Sequence, residues 1–445
     1  MTAVLVSFSV SDYFAIRQHA AISLKATSVS EPDWVRQVAT GVGTKPESLL
    51  CVACLFGPNG SGKTTLLRAL GQLRSLIVSS AKWGLPPTYE RMPPDHPRIR
   101  SGTFDIEFLM AHGRTSMRIE ISDGRIVDEE VHVRQRRRSV LLYRRNRSVL
   151  ETGTGIRSYA DQLSIVPEEI SLVGYLAGLR NPLALEVVDW FVRNPRYAEE
   201  ANRAERWALT SRLLHEEDTG ELVRHLLAGA GLGIVDVVAE AVEPRRQIEL
   251  ATLADSWRDS PMSKTETNTF ASMSNSFGMT LLHRFEGSTR PLSLDEESAG
   301  TRAWLGAVGI IVDTLLTGAV LLADEIESSL HPSLVRSVIK LFQSKQTNPR
   351  GAQLITNSHD VSLLDHSDES RSLGRDQIWL CARNANGGVE VNQLSSFAVR
   401  KGEAVGRRYL EGAYGAVPRT RISEEIFADL VSGALQPLRS SGSAG

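Results

Sequence analysis

Eight residues constrain this chain more than anything else in it: Gly57-Pro58-Asn59-Gly60-Ser61-Gly62-Lys63-Thr64. They fit G-x-x-x-x-G-K-[ST] in full. Before them runs an unalternating apolar stretch, residues 49–56, of the kind buried in a parallel sheet. After them, residues 64–79 read as a helix with Leu66, Leu67, Leu70, Leu73, Leu76 and Ile77 along one side. Strand, loop and helix are the context the motif needs. Glycines let the loop wrap closely, so that backbone N–H groups and the helix N-terminus face phosphate oxygens. Lys63 would add a charge to the β- and γ-phosphates, Thr64 a hydroxyl ligand for Mg²⁺, and residues Gly57 to Thr65 together a grip on ATP.

Such a loop needs a partner that holds the metal and activates water. Val320-Leu321-Leu322-Ala323-Asp324-Glu325 is an apolar strand ending in two acids, which places both carboxylates at the C-terminal edge where open α/β sheets bind ligands. Asp324 is expected to hold Mg²⁺ through water, and Glu325 to orient or deprotonate the attacking water. A third strand, residues 352–356, leads into Asn357-Ser358-His359-Asp360, where His359 could hydrogen-bond the γ-phosphate and sense the nucleotide.

Around these elements the pattern is mixed. A strand at 4–10 and alternating segments at 103–110, 116–121 and 126–133, with Asp123-Gly124 as a hairpin signal, predict an antiparallel β layer. From 161 to 242 the period is helical, without sustained heptads. Residues 251–276 read as a Ser/Thr/Asn-rich loop, and 299–316, 319–323, 333–345, 352–356 and 376–382 resume an α/β alternation. The expected domains are 1–155, an N-terminal lobe; 156–285, a mostly helical insertion; and 286–445, a C-terminal lobe.

The charge balance, 50 basic against 52 acidic residues, gives no global field for nucleic acid. Locally, residues 134–147 (RQRRRSVLLYRRNR) hold seven arginines. They could meet a DNA backbone or an acidic protein, or be solvated and paired at home. Cys51 and Cys54 form a C-x-x-C inside the apolar run, with no second ligand pair nearby, and read as core. The N-terminus lacks a signal-peptide pattern, and the apolar stretch 307–323 is interrupted by Asp313, Thr314, Thr317 and Gly318, so a soluble cytoplasmic protein without a membrane span is expected.

The order of the motifs, with a long insertion between Lys63 and Asp324, resembles an ABC-type ATPase head of the SMC-like class. In that class a signature motif opens a helix shortly before the acidic strand. The matching stretch is Asp295-Glu296-Glu297-Ser298-Ala299-Gly300-Thr301-Arg302, in which Ser298 and Gly300 are kept, while acids precede the serine and Ala299 replaces a glycine. Together with Asp324-Glu325-Ile326-Glu327-Ser328-Ser329-Leu330-His331-Pro332, Thr356-Asn357-Ser358-His359-Asp360 and the run from Tyr409 to Pro418, this is similar to the bacterial OLD-related AAA-family ATPases. The resemblance implies a two-lobed P-loop head with an antiparallel layer and a helical insertion. It also implies Mg-ATP sandwiched between protomers of a dimer or multiple of dimers, with Ser298 and Gly300 acting in trans. The class uses a glutamine to link metal to insertion, for which Gln135 and Gln162 are the candidates in this sequence. Members typically act in anti-phage defence, as ATPase sensors that answer a phage trigger, often beside a nuclease, with hydrolysis slow and used for gating. No Asp-x-Asp follows His359, and the remaining stretch is too short for a TOPRIM domain as well as the closing strands, so a nuclease would be a separate effector. The alternatives are an SMC-like DNA-repair or DNA-clamping ATPase, and a scaffold that holds ATP without turning it over.

Overall fold

The computed structural model describes residues 4–40, 45–83, 97–110, 113–135, 138–199, 202–239, 279–364, 371–384, 386–399, 403–417 and a few positions between 424 and 431. The loop expected at 251–276, Arg136, Arg137 and Pro418 lie outside them. In chain order the first strands are β1 (Val4–Ser11), β2 (Ala20–Ser23), β3 (Val35–Val38), β4 (Glu47–Leu50), β5 (Val52–Phe56), β6 (Gly102–Met110), β7 (Gly113–Ser122), β8 (Arg125–Gln135), β9 (Arg138–Asn146) and β10 (Val149–Thr152). They are followed by β11 (Arg196–Ala198), β12 (Ile234–Ala239), β13 (Met279–Phe285), β14 (Ser288–Leu292), β15 (Val320–Ala323), β16 (Gln353–Ser358), β17 (Ile378–Arg383) and β18 (Val389–Gln393). The helices are α1 (Lys63–Trp83), α2 (Ala160–Ser164), α3 (Leu172–Gly178), α4 (Pro182–Arg193), α5 (Arg203–His215), α6 (Glu217–Ala228), α7 (Ala299–Thr317), α8 (Pro332–Gln343) and α9 (Val405–Leu410).

Two large sheets organise the molecule. The expected antiparallel layer is a seven-stranded sheet, ordered β10-β9-β8-β7-β6-β1-β2. A six-stranded sheet, β11-β15-β16-β5-β17-β18, is parallel except for its last strand. The run at 49–56 does not alternate because β5 is covered on both faces. Ala53 and Leu55 join the core shared with α1, α3 and α4, whereas Val52, Cys54 and Phe56 join the core under α7 and α8. A buried side chain stitches the sheets together: the Gln353 amide accepts from Leu5 N–H at 2.8 Å and donates to Leu5 C=O at 2.9 Å, as a neighbouring strand would.

Residues 156–285 supply more than helices. Asn194-Pro195 leads into β11, which is too short for periodicity to reveal and lies parallel to β15 at the edge of the six-stranded sheet. Helices α3 and α4 pack on α1, while α5 and α6 pack on α7. Trp190 of α4 stacks on Phe108 of β6 with ring centroids 4.2 Å apart, which fixes α4 to the antiparallel sheet. On β8 of the same sheet, fully buried Glu129 accepts hydrogen bonds from Tyr143 Oη (2.7 Å), Arg145 (3.0 Å), Ser171 Oγ (2.5 Å) and the Leu172 amide (3.0 Å), so every lone pair of this carboxylate has a donor. Helix α7 is apolar and long enough by composition to cross a membrane, yet most of it is buried within this fold. Its one internal acid, Asp313, forms a buried ion pair with Arg196 of β11.

Candidate functional site

Three adjacent strands run parallel toward one edge of the sheet. Ser358 pairs with Phe56, and Thr356 with Ala323, so the loops after β5, β15 and β16 emerge at one edge of the parallel sheet. The loop after β5 is Gly57 to Gly62, and α1 begins at Lys63. Gly57 has no room for a side chain, since a Cβ there would lie 2.2 Å from the carbonyl oxygen of Cys381 on β17. Lys63 Nζ donates to Gly57 C=O at 2.8 Å and Pro58 C=O at 3.2 Å. Burial pulls its ammonium below the usual lysine range, opposed by nearby groups that include Glu325, Glu327 and Asp324. Arg383, at the end of β17, donates to Gly60 C=O at 2.6 Å and braces the tip of the loop.

Across the crevice, Thr64 Oγ1 donates to Asp324 Oδ1 at 2.8 Å. Asn357 completes a triangle: its Nδ2 donates to the same oxygen at 2.6 Å, and its Oδ1 accepts from the Glu325 amide. Glu325 and Ser329 have positive φ, 53° and 66°, so the acid-bearing turn holds two non-glycine residues in the left-handed region. His359 Nε2 stands 3.8 Å from Glu325 Oε1, and the His359 amide donates to Glu327 Oε1 at 2.5 Å.

The residues present fit a magnesium-bound polyphosphate. Ser61 Oγ is buried within the loop without a hydrogen-bond partner, Thr64 and Asp324 offer hard oxygen donors, and Lys63 brings a cation. Pro58, Asn59 and Gly60 form the outer loop, and Thr65 is the third residue of α1.

Two residues near the site escaped the sequence reading. Asn357 stands in the sequence within the motif 356–360, and its one signal is that of a polar residue at the end of an otherwise apolar strand. Glu199 carried no such signal, because it follows the three-residue β11. Pairing of Ala198 with Ala323 brings Glu199 alongside Asp324, whose amide donates to Ala198 C=O at 2.9 Å. Arg68, one turn along α1 from Thr64, lies 3.7 Å from the Glu199 carboxylate. Burial raises the pKa of Glu199, Arg68 lowers it and Asp324 raises it further. Gln135 and Gln162 lie instead at the end of β8 in the seven-stranded sheet and in α2. From Glu199 a hydrogen-bonded path runs to α7: Arg206 donates to Glu199 C=O (3.0 Å), Trp207 Nε1 to Arg302 C=O (3.0 Å) and Thr210 Oγ1 to Leu305 C=O (2.7 Å).

Ser298 and Gly300 are not part of this crevice. Ser298 caps α7, its Oγ accepting from the Thr301 amide at 3.1 Å, and among the described residues neither has a hydrogen bond to the loop 57–64. Gly300 lies against the acid-bearing turn of its own chain, where a Cβ would sit 2.8 Å from Ser329 C=O. The arginines of 134–147 are divided. Arg145 is buried on Glu129, Arg144 reaches Asp128 (3.4 Å) and Glu130 (3.6 Å), and Arg138 and Arg147 are exposed. Tyr414 packs edge-on against Phe397 and donates to Glu403 at 3.0 Å. All three cysteines are buried.

A parallel sheet with this loop, these acids and an attached antiparallel layer defines a P-loop nucleotide-binding fold of the ABC-ATPase head type. Residues 52–365 match the family described as AAA domain, putative AbiEii toxin, Type IV TA system, and the chain belongs to that family. No curated protein matches it. Among solved structures it is similar to an Smc head bound to the C-winged helix domain of ScpA, at 10% identity and a TM-score of 0.40 over 87% of this chain and 97% of that one. A Pyrococcus furiosus Smc head with an extended coiled coil, bound to the C-terminal domain of ScpA, gives 12%, 0.33, 93% and 100% for the same measures. A Pyrococcus yayanosii Smc head with coiled coil and joint gives 13%, 0.36, 93% and 100%.

Proposed function

We propose that the protein is an ATP-binding and hydrolysing switch. The observation that carries this reading is the triangle Thr64–Asp324–Asn357 beneath the loop, with Glu325 at its edge. Backbone amides of the loop and Lys63 would bind the phosphates. Thr64 and Asp324 would hold Mg²⁺, which supplies positive charge to the phosphate oxygens when bound. Glu325, kept in place by Asn357, would take a proton from the attacking water, and His359 would report on the γ-phosphate. Glu199 stands where the missing glutamine is expected, joined by Arg206, Trp207 and Thr210 to the helix that Ser298 caps, so a change at the metal end has a bonded path to α7.

Ser298 and Gly300 act, in this reading, on ATP held by a second copy, and hydrolysis sets the lifetime of the assembly. The biological setting is anti-phage defence, with a separate effector such as a nuclease under control of the switch and a phage protein as trigger; the toxin–antitoxin wording of the family description supports it.

The test is the solution mass of the Glu325→Gln protein by light scattering with and without Mg-ATP. A nucleotide-dependent gain in protomers is expected. A protomer that binds ATP without changing mass would remove the in-trans role of Ser298 and Gly300 and leave a solitary ATPase.

A further inference from the structure

A turn that receives phosphate is a poor place for acids, yet Asp295, Glu296 and Glu297 directly precede Ser298. Their placement differs. Glu296 is tied back locally, its Oε2 accepting from the Ser293 amide (3.0 Å) and Ser293 Oγ (2.8 Å). Glu297, next to the exposed Ser298, is 6% exposed and turned inward. There His283 Nε2 donates to Glu297 Oε1 at 2.6 Å, and His283 is itself 7% exposed. His283 belongs to the central strand of the sheet β12-β13-β14, pairs across β14 with Arg290, and has Gly233 against its other ring nitrogen, where a Cβ would lie 3.5 Å from Nδ1. The buried Leu294 anchors the segment between them.

We propose that His283 is a positioning residue for the signature turn. By bonding Glu297 inside the fold, it keeps that carboxylate off the outward face of Ser298 to Gly300, so the face can take the terminal phosphate of a nucleotide held by a second copy of this chain. The inference rests on the sandwich reading above. It makes the departure of this turn from the glycine-rich signature tolerable: the charge closest to Ser298 is held by a residue from another strand. It also makes β13 a support for the turn.

In the Glu325→Gln background, the ATP concentration at half-assembly is measured by light scattering, with thermal melting to check folding. His283→Ala is expected to raise that midpoint at least tenfold, because Glu297 is released beside the phosphate. His283→Gln, which keeps a donor, and Glu297→Gln, which removes the charge, should stay within about threefold of the parent. The double variant His283→Ala/Glu297→Gln should recover most of the loss, which a purely structural role for His283 would not produce. Should His283→Ala prove unfolded, Glu297→Gln and His283→Gln decide the matter, and a tenfold rise in either overturns the inference. A parent that assembles while folded His283→Ala assembles equally well, or a double variant as defective as the single, overturns this inference alone. A parent whose mass does not respond to Mg-ATP overturns it together with the sandwich.

Discussion

The crevice at the ends of β5, β15 and β16 and the turn that opens α7 are both read as facing phosphate, but they are built in opposite ways. In the crevice the charged groups and the acid-bearing backbone are answered from within the chain: Lys63 by loop carbonyls, Asp324 by Thr64 and Asn357, and the Glu325 amide by Asn357. At the α7 turn Ser298 caps its own helix, Gly300 lies against the acid-bearing turn and Glu297 is held by His283, while the outward face of Ser298 is left exposed. A site completed by one chain and a surface left open by it imply different dependence on concentration: binding belongs to the protomer, assembly to the pair.

The largest effect that can break this distinction is on turnover. Glu325→Gln should lower phosphate release by about 10²- to 10⁴-fold while ATP binding persists. If binding were lost as well, Glu325 would belong to the grip. Lys63→Ala comes next: loss of its charged hydrogen bonds should weaken ATP by about 100-fold in calorimetry, with assembly lost only in consequence. Asn357→Ala leaves Asp324 and the Glu325 amide short of a partner and should reduce metal-dependent ATP affinity by about 10- to 100-fold, seen as a larger Mg²⁺ requirement. The smallest effect separates the two regions most cleanly. Gly300→Ala must push Ser329 away, costing about 1–3 kcal/mol of local fit, and should impair ATP-driven assembly while protomer affinity for ATP stays within about threefold.

The same contrast governs what could be read from sequence. The phosphate loop and the acidic strand were legible because their chemistry is local: a glycine pattern between a buried strand and a helix, and two acids at the end of four apolar residues. The parallel sheet followed from their order, and α7, α8, β15, β16 and β17 lie close to the predicted segments. Glu199, Glu297 and Asn357 owe their positions to long-range pairing. A three-residue edge strand has no period to detect, a histidine in β13 shows no sign of the acid it will meet, and a polar residue at the end of an apolar strand does not by itself reveal that Asn357 is fully buried beneath Asp324. Buried carboxylates were also hidden from sequence: nothing in the arginine-rich stretch distinguishes Arg145, which neutralises Glu129 inside the fold, from the exposed arginines around it.

The buried cysteines bear on the chemical resilience of the loop. Cys51 and Cys54 accompany β5, and the backbone of Cys381 presses on Gly57. Burial lifts the Cys51 thiol to about 11 and the Cys381 thiol to about 12, and Cys54 is raised well above the ordinary value. Protonated, enclosed thiols neither attack electrophiles nor form sulfenic acids readily. A cell under oxidative attack would therefore find no reactive sulfur here with which to silence the loop, and one cysteine introduced on the α7 turn would take a fluorescent label against an unreactive background.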